Sequence, residues 1–106
     1  MTKKRKPAHD LQAFKAAFNS VEKLAVTSTA LRSAAALGFG RQEIVETIQG
    51  MQPKHFYQSM TAYANPREWQ DVYHVPAAVG VLYIKFTAAV LTEFLLLSFK
   101  EKEDGS

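Results

Sequence analysis

The sequence predicts an α+β domain: N-terminal helices packed on a C-terminal antiparallel β-sheet. Three observations carry this. The first half repeats its apolar residues at three- and four-residue steps. From Phe56 onward the repeat shortens to two, and the two regimes follow one another in blocks instead of alternating. At 106 residues the chain has room for one core, so residues 1–106 are read as a single domain. Hydrophobic residues make up 47% of it and charged residues 22%, a globular balance and not that of a disordered chain.

Residues 10 to 24 read as the first helix. Leu11, Phe14, Phe18, Val21 and Leu24 form one stripe, and Asp10 stands at the N-cap. Residues 25 to 28 are a connector or a very short edge strand. Thr27, Ser28 or Thr29 caps a second helix carrying Ala30, Leu31, Ala34, Ala35 and Leu37, which Gly38 ends. After Gly40 a third helix lines up Ile44, Val45, Ile48 and Met51, then stops at Gly50 and Pro53.

Residues 57 to 63 and 69 to 75 form the arms of a hairpin rich in aromatic and polar side chains. Its turn is Ala64-Asn65-Pro66-Arg67, because Asn favours turn dihedrals and Pro66 has no N–H for a ladder. Along 80 to 88, Leu82, Ile84, Phe86 and Ala88 alternate with Val81, Tyr83, Lys85 and Thr87. The first set is expected in the core and the second outside. The last strand, 93 to 100, is expected to place Leu95, Leu97 and Phe99 together and Ser98 and Lys100 opposite, with part of its length buried on both sides. Residues 1–8 and 102–106 are expected to be flexible tails.

Several function classes fall away. There is no cysteine, and His9, His55 and His74 share no ligand spacing, so neither a disulfide framework nor a structural zinc site is expected. The basic residues at 3 to 6 precede no apolar run, as a signal peptide would require. The apolar stretch from Val75 to Phe99 is broken by Pro76, Gly80, Lys85 and Glu93, which disfavours a membrane span, and the expected compartment is the cytoplasm. No Gly-rich phosphate loop, nucleophile elbow or carboxylate pair is present. Net charge is +3, but without the four basic residues at 3 to 6, nine Lys and Arg face ten Asp and Glu. That basic run is able to track phosphates, although a solvated tail is the plainer expectation.

One constellation remains. Gln58, Gln70, His74, Tyr83, Lys85 and Lys100 are the outward polar residues of the strands, and matching parity brings cross-strand neighbours to about 5 Å. Amide, phenol and ammonium groups suit a phosphodiester, and aromatic neighbours offer stacking surface to unpaired bases. A solvated sheet face carries polar residues in any case, so the pattern alone leaves both readings open.

Four blocks add a family. Residues 56 to 61 (Phe-Tyr-Gln-Ser-Met-Thr), 69 to 73 (Trp-Gln-Asp-Val-Tyr), 82 to 85 (Leu-Tyr-Ile-Lys) and 98 to 102 (Ser-Phe-Lys-Glu-Lys) resemble the MqsR toxins, mRNA interferases of a type II toxin–antitoxin system. The resemblance implies a RelE-like ribonuclease fold and an endoribonuclease that cuts single-stranded mRNA, with a preference for GCU. It implies 2′-hydroxyl attack on the adjacent phosphate, without metal or cofactor. The implied partner is an MqsA-like antitoxin with a zinc-binding domain and a helix-turn-helix domain. Carried over by position, the catalytic residues fall on Gln70, Tyr83 and Lys100. RNA contacts are expected at Gln58, Lys54, His74 and Lys85. Gln58 stands where the family usually has lysine, and an amide supplies no fixed charge. Either Lys100, helped by Lys54 or Lys85, bears the electrostatic load, or the chain is a weak or inactive RNA- or antitoxin-binding module.

Overall fold

The structure, a computed structural model, describes residues 2–89 and 94–103. Three helices, α1 (Leu11–Ala17), α2 (Ser28–Ala36) and α3 (Arg41–Gln49), precede a meander of β2 (Phe56–Thr61), β3 (Trp69–Ala77), β4 (Gly80–Ala88) and β5 (Phe94–Glu101). A two-residue strand, β1 (Lys3–Lys4), completes an antiparallel sheet ordered β1-β2-β3-β4-β5. The helices cover one face. Leu11, Phe14, Phe18, Ala30, Ala34, Ile44, Ile48 and Met51 pack there against Tyr73, Val75, Leu82, Ile84, Phe86, Phe94, Leu96 and Phe99. The Phe14 and Phe86 rings lie stacked at 3.7 Å at the centre. Among the described residues no helix covers the other face of the sheet, and that asymmetry sets up the site.

Local chemistry accounts for the helix ends. The Gln12 N–H donates to Asp10 Oδ1, and the Ala30 N–H donates to Thr27 Oγ1. Gly38 takes φ +89°, a left-handed conformation costly for any residue with a Cβ. There the Phe39 and Gly38 N–H groups reach back to the Ala34 and Ala35 carbonyls. The first helix is shorter than its stripe suggested: it stops at Ala17, and Val21–Lys23 forms a separate 3-10 turn. Asn19 and Ser20 break the repeat. Gln49 Nε2 then donates to the Lys15 and Phe18 carbonyls, so a side chain replaces the missing turn. Of residues 25 to 28, Val26 makes an isolated parallel bridge to Leu96 along the outer edge of β5, and Ser28 already opens α2.

Residues 2 to 9 are not a loose tail. β1 pairs with Ser59 and Met60, and the Thr61 N–H donates to the Thr2 carbonyl. Asp71 is fully buried and accepts from the Ala8 N–H at 3.0 Å, the His9 N–H at 2.9 Å and the Ser59 hydroxyl. Lys4 Nζ sits 4.2 Å above the Trp69 ring, a cation–π contact that pins the strand further. At the other end, the Lys102 N–H bonds the Val81 carbonyl, so Lys102 is tied to β4, and residues 104–106 lie outside the described residues.

Two bulges revise the strand parities. Between β4 and β5 the register slips between Lys85 and Phe86, leaving Leu97 as the extra residue. Phe94 and Leu96 therefore share the core face with Phe99, whereas Leu95 and Leu97 are only half-buried. The expected grouping of Leu95 and Leu97 with Phe99 is thus inverted by one inserted residue. The expected start of that strand at Glu93 lies outside the described residues. In β4, Ala88 is exposed, and Thr87 is buried with its hydroxyl donating to the Trp69 carbonyl. Between β2 and β3 the slip falls between Phe56 and Gln58, making Tyr57 the extra residue.

Candidate active site

The open face is built in cross-strand rows. In one row His74 of β3 pairs with Tyr83 of β4, which pairs with Lys100 of β5. In the next, Gln58 pairs with Val72, Val72 with Lys85, and Lys85 with Ser98. A third runs through Met60, Gln70, Thr87 and Leu95, with Lys3 of β1 opposite Met60. Five of the seven residues expected at a site thus fall in two adjacent rows. These are Gln58, His74, Tyr83, Lys85 and Lys100.

Gln70 shares the face but lies four residues along β3 from His74, roughly 13 Å at strand rise. Its Nε2 is taken up by Glu68 Oε2 at 2.7 Å. Lys54 is exposed in the 3-10 turn Pro53–His55 before β2, outside the ladder. Its neighbour His55 accepts the Gln52 N–H on Nδ1, a capping contact.

The first row is an aromatic and cationic ladder. Tyr57, swung onto this face by its bulge, stacks on His74 with ring centroids 4.1 Å apart. Tyr83 lies 6.0 Å beyond His74, and Lys100 Nζ stands 5.2 Å over the Tyr83 ring. Burial raises the Tyr83 pKa, and the Tyr57 phenol beside it adds to the effect, so Tyr83 remains a protonated donor. Burial lowers the Lys85 pKa. Lys100 lowers it further, while Glu68 acts in the opposite sense. Two ammonium groups that repel one another across adjacent rows leave a place that an anion relieves. His74 is held toward its neutral form by burial first and by Lys102 second. Its Nε2 is buried and has no hydrogen-bond partner among the described residues, so the ring forms part of the floor.

The arrangement lies on the helix-free face of the sheet. A cleft of about 350 Å³ is lined by Glu46, Thr47, Gln52, His55 and Val75 among others, but by none of Tyr83, Lys85 and Lys100. Among the described residues no three His, Asp or Glu side chains gather as a metal site requires.

Residues 6–101 match the model of a protein family described as motility quorum-sensing regulator, toxin of MqsA. This chain belongs to the MqsR toxin family. It is also 36% identical over 99 residues to the mRNA interferase toxin MqsR of Escherichia coli (strain K12), a match spanning 93% of this chain and 98% of that protein. The MqsR match takes in every open-face residue from Gln58 to Lys100 and leaves Lys3, Lys4 and Arg5 outside.

Sequence reasoning missed Tyr57 as a member of the face. Simple alternation puts it opposite Gln58, and only the bulge turns both outward. The run of two aromatics at Phe56 and Tyr57 was the available signal, since one of them had to leave the core.

Proposed function

We propose that this chain is a toxin of the MqsR type, an endoribonuclease that cleaves single-stranded mRNA and is neutralised by a cognate MqsA-like antitoxin. The observation that carries the reading is the convergence of Tyr83, Lys85 and Lys100 on one open sheet face, with Tyr57 and His74 beside them. Two cations and a phenol donor suit a phosphodiester. The adjoining aromatic rings suit unpaired bases, and an open face admits an extended strand.

The chemistry follows from the groups. The ribose 2′-hydroxyl gives its proton to solvent water as its oxygen attacks the adjacent phosphorus. The bond from phosphorus to the 5′-oxygen breaks, leaving a 2′,3′-cyclic phosphate and a 5′-hydroxyl. Lys100 and Lys85 stabilise the charge that builds on the phosphoryl oxygens, and Lys100 gives a proton to the departing 5′-oxygen. Tyr83 donates a hydrogen bond to the same group, the role open to a phenol that stays protonated. Lys85 takes the duty that falls vacant with glutamine at position 58, because it lies in the same row, whereas Lys54 stands off the ladder. Gln70 serves an RNA group farther along the strand once released from Glu68.

The test is incubation of the purified protein with GCU-containing single-stranded RNA in EDTA, with analysis of product ends. Cleavage with cyclic phosphate termini, lost in Lys100→Ala, supports the reading. Intact RNA sinks it.

A second reading, a catalytically weak RNA- or antitoxin-binding module, is favoured by the distance of Gln70 from Tyr83 and by Gln58. It predicts RNA retention without cleavage, and gain of cleavage in Gln58→Lys.

A further inference from the structure

Lys3, Arg5 and Lys6 are exposed, and none of these side chains has a partner among the described residues. They lie in a segment that is firmly placed. β1 pairs with β2, Asp71 accepts the Ala8 and His9 N–H groups, the Lys6 carbonyl accepts from the Ser59 hydroxyl, and Lys4 is spent on the Trp69 ring. A polar strap of this kind fixes the backbone and leaves alternate cations outward. Lys3 pairs with Met60, whose strand neighbour of the same parity is Gln58, so Lys3 faces the side of the sheet that carries Tyr83, Lys85 and Lys100.

The charge distribution sharpens the point. The whole net positive charge of the chain resides in the run from 3 to 6, because the remainder holds nine Lys and Arg against ten Asp and Glu. The open face thus has cations at both ends, Lys85 and Lys100 on β4 and β5 and the basic strand four positions across the sheet. Glu68 is the acidic group near its middle, engaged by Gln70. Four strand spacings amount to on the order of 19 Å, several nucleotides of extended chain.

We propose that β1 and Arg5 form a second RNA-binding element of the open face. They would hold the backbone phosphates of nucleotides that flank the one seated at Tyr83, Lys85 and Lys100. The proposal rests on the RNA-directed reading above and deepens it: the substrate is an extended single strand crossing the sheet from edge to edge. The strand contributes affinity and register, and it takes no part in bond breaking.

The test compares the wild-type protein with Lys3→Ala/Arg5→Ala and with the charge-retaining Lys3→Arg/Arg5→Lys. Fluorescence anisotropy reads binding to 2′-O-methyl RNA, which lacks the attacking hydroxyl, in lengths of about 2 and about 20 nucleotides. The expected result is a loss of roughly 5- to 20-fold on the long RNA for the alanine variant, with no change on the short one. The slope of log K against log salt should flatten by about 1.4, two phosphates at single-strand density. The charge-retaining variant should bind as wild type. Equal affinity of wild type and alanine variant for the long RNA overturns the proposal, as does a loss of equal size on both lengths. Cleavage is measured separately on unmodified RNA, so a wild-type protein that binds without cutting overturns the enzymatic reading while this one stands.

Discussion

At the scale of single residues, the proposed function separates the groups assigned to the phosphate from those that shape the surface around it. Lys100→Ala is expected to lower the cleavage rate about 100-fold or more, the size seen when a donor to a developing oxyanion is removed. Lys85→Ala should follow it closely, whereas Lys54→Ala should leave the rate near wild type. That contrast, read in single-turnover assays, decides which lysine stands in for the family's usual one. Gln58→Lys is expected to raise the rate several-fold, because it places a second cation in the row of Lys85. His74 belongs to the floor. Its Nε2 is buried without a partner, so His74→Phe should keep the stack with Tyr57 and raise stability by roughly 1 kcal/mol, measured by urea denaturation. A loss of stability would mean that the nitrogen has a partner in solution.

At the scale of elements, Asp71 holds more of the molecule together than any group on the open face. It is buried beneath the N-terminal segment and accepts from two backbone N–H groups and a hydroxyl. Asp71→Ala leaves those donors unmet and is expected to cost about 2–4 kcal/mol, with new protease cleavage among residues 2 to 9. This element was only half legible in the sequence. Period and capping residues placed α2, α3 and the β3–β4 hairpin, since Thr27, Gly38 and the alternation from Val81 to Phe86 act locally. The strap depends on a carboxylate more than sixty residues from the amides it holds, and no local pattern reveals such a pairing. Bulges were hidden for the same reason. Leu97 and Tyr57 are extra only relative to partners on another strand, so the repeat within their own strands misassigned Leu95, Leu97 and Tyr57. The face occupied by Tyr83, Lys85 and Lys100 was legible, because they lie where alternation is either unbroken or beyond the slip. Gln70 was assigned to the right face, but strand rise sets it well away from Tyr83.

At the scale of the whole molecule, stability should decline at both ends of the pH range. Burial lowers the pKa of His74, with Lys102 assisting, and lowers that of His55, with Lys54 assisting. As pH falls below 6.5 the unfolded chain takes up protons that the folded one resists, so folding weakens there and is unaffected by these groups above that value. Tyr73, 1% exposed, has its pKa pushed up to about 12 by burial, with Asp71 and Asp10 adding to it. Above pH 10 the unfolded chain gives up a proton that the folded state keeps, and up to about 2 kcal/mol is lost by pH 12. Denaturant midpoints across pH 5 to 12 should trace a plateau with both shoulders, and Tyr73→Phe should shrink the alkaline one to the part that Tyr83 contributes.

The N-terminal strap also sets an order of events. The meander from β2 to β5 joins neighbours in the chain, but β1 must find Ser59 and Met60, and Ala8 and His9 must find Asp71. Such distant closures come late in folding, after the loops between them have been drawn in. On the ribosome, residues 2 to 9 wait through the synthesis of some sixty more before their anchors exist, so the basic segment passes that interval unplaced beside nascent helices. Pulse-labelled hydrogen exchange should find the Ala8 and His9 amides among the last to become protected.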